Sequence, residues 1–155
     1  PINDALHYIE LYLKLQKLRF PNTLETEFDI SDEAGAMLIP KMTLQPLVEN
    51  AIYHGIKRRR GRGQITVTGR RQVGGMYFAV EDNGMGMTPE RLVEVRASLQ
   101  NGAPLDPDGK GGYGLRNVEQ RLRLYYGCGL TIESEYRHGT RISFTVPDEQ
   151  EGKTL

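Results

Sequence analysis

The sequence predicts an α+β fold, a two-layer sandwich in which a mixed, mostly antiparallel sheet of about five strands carries helices on one face. Five runs alternate apolar and polar residues: Leu24–Ile30, Gln64–Arg71, Met76–Asp82, Leu130–Glu135 and Thr140–Val146. Four others repeat apolar residues at helical spacing: Asn3–Phe20, Thr43–Ile56, Pro89–Gln100 and Leu115–Tyr126. Turn residues join two of the strand pairs directly, at Val73-Gly74-Gly75 and His138-Gly139, and such short connections require antiparallel neighbours.

In the first helix Asn3 is suited to cap and Asp4 to occupy the first turn, while Leu6, Ile9, Leu13 and Phe20 form an apolar stripe. Leu11, Leu15 and Leu18 add a second apolar edge, so this helix calls for two packing partners. Pro21-Asn22 ends it. Leu24 to Ile30 sets Leu, Thr, Phe and Ile against Glu25, Glu27 and Asp29, the pattern of a half-exposed strand. From Thr43 the helix directs Leu44, Leu47, Val48, Ala51 and Ile52 inward, and Pro46 falls in its first turn, where a missing N–H costs little. Thr88-Pro89-Glu90 is a cap followed by proline at the first helical position. Asn101 to Gly112 has no period and reads as a mobile loop, and the polar tail from Asp148 as a frayed end.

The 155 residues make one domain of ordinary size. Lys plus Arg (20) balances Asp plus Glu (20), so no global field draws the chain to nucleic acid or anionic lipid. The single Cys128 excludes an internal disulfide framework and fits a reducing compartment. No apolar run reaches membrane-spanning length. The chain opens on Pro1 rather than Met, which reads as a piece of a longer protein. Lys57-Arg58-Arg59-Arg60-Gly61-Arg62 reads as a solvated basic loop at a helix C-terminus, with no interleaved aromatics to suggest single-stranded nucleic acid.

Three stretches carry chemistry. In Leu47-Val48-Glu49-Asn50-Ala51-Ile52-Tyr53-His54-Gly55, Asn50 offers an amide oxygen to a hard cation, or is a satisfied core amide. In Asp82-Asn83-Gly84-Met85-Gly86-Met87, a carboxylate leaves a core strand; Asn-Gly alone suits a hairpin, but a helix follows rather than a returning strand. A buried acceptor there can hold an exocyclic amine, which adenine has and guanine lacks at the same place. Gly109-Lys110-Gly111-Gly112-Tyr113-Gly114 matches a dinucleotide fingerprint by spacing, yet Ala103-Pro104-Leu105-Asp106-Pro107-Asp108 precedes it where a buried strand is required. What remains is a glycine loop entering a helix N-terminus, suited to phosphate, with Arg116 facing it; the alternative is a plain linker. Cation, base and phosphate groups together indicate a nucleotide.

These boxes resemble the ATP-binding domain of sensor histidine kinases, in the GHKL superfamily that also holds DNA gyrase B, Hsp90 and MutL. The resemblance covers nearly the whole chain. Leu44-Gln45-Pro46-Leu47-Val48-Glu49-Asn50-Ala51 with His54-Gly55, the run Gly114-Leu115-Arg116-Asn117-Val118-Glu119-Gln120-Arg121-Leu122, and Gly139-Thr140-Arg141-Ile142-Ser143-Phe144-Thr145-Val146-Pro147 look like the LytS/YesM-type branch. The resemblance implies a Bergerat-type ATP-binding fold over 23–148, preceded by the end of a linker or dimerisation helix (1–22) and followed by a flexible tail (149–155). It implies that Asn50 binds Mg²⁺, that His54 lies against adenine or ribose, and that Asp82 holds the adenine amine. Thr140 would support that contact, with Gly84, Gly86 and Met87 along the nucleotide. Gly112, Tyr113, Gly114 and the N–H groups of Leu115 and Arg116 would close over the phosphates of ATP. Tyr53 stands where some relatives carry a phosphate-binding Lys, a contact that Lys57 or Arg116 would replace.

ATP-hydrolysing relatives place a catalytic Glu one turn before the metal-binding Asn, where this chain has Pro46, which cannot move a proton. Glu49 is then the remaining candidate base. None of His7, His54 and His138 has the context of the family's phosphoacceptor, so the acceptor is expected on an upstream dimerisation domain. The implied function is a protein-histidine kinase catalytic domain acting with that domain and a response regulator. It would be cytoplasmic, in a parent that is a membrane-anchored homodimer. The alternatives are a GHKL-type ATPase clamp and an inactive nucleotide-sensing or docking module.

Overall fold

The computed structural model of the chain describes residues 1–19, 24–40, 42–55, 63–101 and 113–148. Its elements are helix α1 (Ile2–Arg19), strand β1 (Leu24–Ile30), helix α2 (Asp32–Ala36), helix α3 (Gln45–Asn50) continued by a π-helical turn (Ala51–Gly55), strands β2 (Gly63–Gln72) and β3 (Gly75–Asp82), helices α4 (Pro89–Asn101) and α5 (Tyr113–Tyr126), and strands β4 (Thr131–Glu135) and β5 (Gly139–Pro147). The five strands form one sheet in the order β1-β2-β3-β5-β4. β1 and β2 run parallel, with α2 and α3 in the connection between them; every other pair is antiparallel. The α+β architecture is the one the alternating runs predict.

Alternation along the strands sends Val67, Phe78, Val80, Ile142, Phe144 and Ile132 to one face, where they join Ile9 and Leu13 of α1, Leu47 and Val48 of α3, and Val118 and Leu122 of α5 in a single core. Phe78 and Phe144, paired across β3 and β5, stack at 5.3 Å between ring centroids. The second apolar edge of α1 does not enter this core. Leu11, Leu15 and Leu18, with Tyr8, stay exposed, and Tyr8, Leu11 and Leu15 border a groove of about 660 Å³ between α1 and the segment Ile39–Gln45.

Several local expectations need correction. Asn3 is not the cap of α1: the helix already includes Ile2, whose N–H donates to the Met37 carbonyl at 2.9 Å, and the Asn3 amide lies against Gly35 instead. The long helix expected over Thr43–Ile56 is α-helical only over Gln45–Asn50 before widening into the π turn. α5 begins at Tyr113, two residues before the expected Leu115. α2 was absent from the sequence reading; Ser31 caps it by accepting the Ala34 N–H at 3.2 Å. The mobile loop expected over Asn101–Gly112 lies outside the described residues except for Asn101, which closes α4, and the tail at 149–155 lies outside them. Asp148 is paired with Arg71 at 2.8 Å, and Arg71 also holds Glu33, so a three-charge cluster joins α2, β2 and the end of β5.

Two contacts fix the sheet edge nearest the functional residues. Glu119, buried within α5, accepts the Leu130 N–H on one carboxylate oxygen at 2.6 Å and Arg123 Nε on the other at 3.0 Å, tying the entry of β4 to the helix layer. Gly139 opens β5 with φ +118°, and a β carbon there would strike the Asp82 carbonyl oxygen. Glu119→Ala is expected to lower the unfolding free energy by about 2–3 kcal/mol, and Glu119→Gln by less because its amide oxygen still accepts the Leu130 N–H; denaturant titration measures both. Gly139→Ala, strained in φ and crowded by backbone, is expected to cost at least about 2 kcal/mol in the same measurement.

Candidate functional site

Asp82 closes β3 on the helix-covered face, two residues past Val80, and is only 6 % exposed. Register sets it opposite Thr140 on β5, which stands opposite Ser134 on β4. One step further in, the corresponding row is Val80, Ile142 and Ile132, all buried. A row of three polar side chains therefore ends an otherwise apolar sheet face.

The Asp82 carboxylate is oriented locally: its Oδ1 accepts the Gly84 N–H at 2.8 Å, an Asx turn. Asn83 prolongs the contact with β2, giving its N–H to the Gln64 carbonyl and accepting the Gln64 N–H on Oδ1 at 2.7 Å. The chain then crosses the β4–β5 turn. The Met85 carbonyl accepts the Arg137 N–H, and the Met87 N–H donates to Ser134 Oγ at 2.8 Å. Gly86 adopts φ +66°, and a β carbon on it would meet the Glu135 carbonyl oxygen. Gly86 is thus required by the hairpin it crosses, a reason internal to the protein and separate from the place along a nucleotide that the family resemblance implies.

Asn50 is the last residue of α3 and is half-buried. The π turn that follows packs against β3 and β5, the strands that carry Asp82 and Thr140. π turns of this kind concentrate at functional sites. Glu49 accepts a hydrogen bond from Gln45 Nε2 at 3.2 Å, one turn back on its own helix. At the start of the same helix, Pro46 Cβ lies 3.7 Å from where a β carbon on Gly114 would stand. The first turn of α5, with Gly114, the buried Leu115 and the half-buried Arg116, consequently abuts the helix that bears Asn50. The backbone N–H groups of such a turn have no preceding helical carbonyl to bond, which suits an anion.

The structure thus places Asn50, Glu49, Asp82, Gly84, Gly86, Met87, Gly114, Leu115, Arg116 and Thr140 on adjoining elements. Lys57 and Gly112, and the side chains of His54 and Tyr113, lie outside the described residues. Tyr53 is exposed. Ser134 was missed; its signal was a hydroxyl at a core-facing position two residues after Ile132. Among the described residues no group of three His, Cys, Asp or Glu side chains is arranged to hold a metal ion, and no helix is long and apolar enough to cross a membrane.

Residues 39–150 match the family model described as histidine kinase-, DNA gyrase B-, and HSP90-like ATPase. YwpD of Bacillus subtilis is 39 % identical over 142 residues, covering 91 % of this chain and 48 % of its own length. The sensor histidine kinase YesM of Bacillus subtilis is 36 % identical over 152 residues, covering 97 % of this chain, and the sensor protein LytS of Bacillus cereus 35 % over 150 residues, covering 95 %. The chain spans about half the length of YwpD and 24 % of each of the other two. Among solved structures, the catalytic domain of histidine kinase ThkA superimposes with a TM-score of 0.68 at 13 % identity, covering 94 % of this chain and 92 % of that one. The histidine kinase domain of a blue-light activated kinase from Erythrobacter litoralis gives 0.60 at 14 %, covering 92 % and 60 %. The chain belongs to the histidine kinase-, DNA gyrase B-, and HSP90-like ATPase family, in the branch of the LytS- and YesM-type sensor kinases.

Proposed function

We propose that this chain is the catalytic, ATP-binding domain of a two-component sensor histidine kinase, which passes the γ-phosphoryl of ATP to a histidine on a dimerisation domain. The observation that carries this reading is the register pair Asp82–Thr140, a buried carboxylate beside a hydroxyl on the helix-covered face at one end of the sheet. Asp82 accepts from the adenine amine, held in orientation by the Gly84 N–H on its Oδ1. The first turn of α5, with Gly114, Leu115 and Arg116, lies toward the phosphates, and His54, Lys57, Gly112 and Tyr113 complete the nucleotide contacts. Gly84, Gly86 and Met87 carry the chain past the base.

Asn50 suits Mg²⁺ as one amide oxygen among phosphate and water ligands. The ion would supply charge neutralisation at the transferring phosphoryl group. Phosphoryl transfer to an external nucleophile asks the protein mainly for positioning and electrostatics, so a proline at position 46 is no obstacle to it. Water activation is a different matter: Pro46 offers no base, and Glu49 is engaged by Gln45. In this reading the partners are a dimerisation domain bearing the acceptor histidine, packed near the exposed stripe of α1, and a response regulator. The domain is cytoplasmic and its parent a membrane-anchored homodimer.

Asp82→Asn keeps the shape and an oxygen for Gly84 but replaces an acceptor with a donor; ATP affinity measured by calorimetry is expected to fall at least about 100-fold. With the parent's dimerisation domain added and labelled ATP supplied, acid-labile phosphohistidine is expected; binding without label would reject the kinase assignment. Phosphate release by this chain alone is expected to stay near background. Appreciable release, abolished in Glu49→Ala, would favour the ATPase clamp instead.

A further inference from the structure

We propose that Ser134 is a positioning residue that turns the Thr140 hydroxyl into an acceptor, so that this end of the sheet selects a 6-amino over a 6-oxo purine with two acceptors rather than one. The inference rests on the ATP-binding reading above and adds to it the residue that sets base selectivity.

A hydroxyl has one hydrogen to give and two lone pairs to receive. Ser134 Oγ has three partners: the Gly139 carbonyl oxygen at 3.0 Å, the Met87 N–H at 2.8 Å, and Thr140 Oγ1 at 2.8 Å. The carbonyl can only accept and the backbone N–H can only donate. Ser134 therefore spends its hydrogen on Gly139, and in its contact with Thr140 the threonine must be the donor. Every hydrogen-bonding valence of Ser134 Oγ is then used. The Thr140 hydrogen points at Ser134, and what Thr140 offers elsewhere is lone pairs.

Thr140 stands directly opposite Asp82 in the β3–β5 register, on the same face, where paired β carbons lie about 5 Å apart. An ionised carboxylate also only accepts. Two adjacent acceptors suit an exocyclic amine with two hydrogens, bonded directly or through a water. Hypoxanthine has a carbonyl oxygen at that place and would face lone pairs with no hydrogen to share. A hydroxyl released from Ser134 can rotate and donate to that carbonyl, so the discrimination depends on a side chain that need not touch the base.

The test is calorimetric titration of the chain with ATP and with inosine triphosphate. The wild type is expected to prefer ATP, and Ser134→Ala to lower the ATP-to-ITP affinity ratio about fivefold to tenfold, mainly through better ITP binding. Ser134→Thr, which keeps the hydroxyl, is expected to restore the ratio. Thr140→Val, with no hydroxyl to reorient, is expected to lose ATP affinity without gaining ITP, and it tests the same idea should Ser134→Ala not fold. A ratio unchanged in both Ser134→Ala and Thr140→Val, or an equal loss for the two nucleotides in Ser134→Ala, would overturn the role of Ser134 while leaving ATP binding intact. A wild type that binds neither nucleotide would overturn the site itself.

Discussion

The ladder between β3 and β5 is the constraint on which the rest depends. It pairs Gly75–Asp82 with Pro147–Thr140 residue by residue. A slip of one position would turn Phe78 and Phe144 out of the core and carry Asp82 to the solvent face. The stacked phenylalanines and the apolar row of Val80 and Ile142 oppose that slip, because each fully buried side chain of this size is worth roughly 1.5–3 kcal/mol. The polar residues at the end of the sheet inherit their position from apolar residues that never meet a ligand. Asp82 can be buried, at a cost in desolvation, because the packing beneath it is already secure.

The helical layer answers the sheet with a different device. α3 is only six residues long and ends at Asn50, and the widened turn after it carries the backbone onto β3 and β5. Pro46 starts this short helix and meets the first turn of α5 at Gly114. Two helix starts thereby meet, with Pro46 as the packing surface between them. The proline ring thus helps to seat the glycine end of α5.

The strands were legible because β3 and β5 alternate cleanly and one face of the sheet is covered. Their pairing was legible only where a short turn joins consecutive strands; the parallel match of β1 with β2, separated by two helices, leaves no local mark. α2 was missed because five residues cannot show a helical period, although Ser31 followed by Asp32 and Glu33 is a capping signature. Asn3 misled for the opposite reason: a good cap residue sits one position inside a helix whose first N–H finds the Met37 carbonyl. In the candidate site Thr140 came only with the family resemblance, while Asp82 and Asn50 stood out as polar residues in glycine-rich or apolar surroundings. Ser134 did not, since its meaning lies in the register with Thr140, and register is a property of two strands together. Gly86 came with the family resemblance as a residue along the nucleotide, and the neighbour that demands a glycine there, the Glu135 carbonyl, lies 49 positions further along the chain.

The π turn at Ala51–Gly55 also bears on how this chain tolerates change in length. An α-helix closes its turns with bonds four residues apart and a π turn with bonds five apart, so the turn at Ala51–Gly55 holds one residue more than an α turn would. One residue removed here would let it rewind to the tighter helix with the direction at its end nearly kept. Leu47 and Val48, ahead of the turn, would keep their places. A deletion that in α5 would rotate the rest of the helix by about 100° is here absorbed by rewinding.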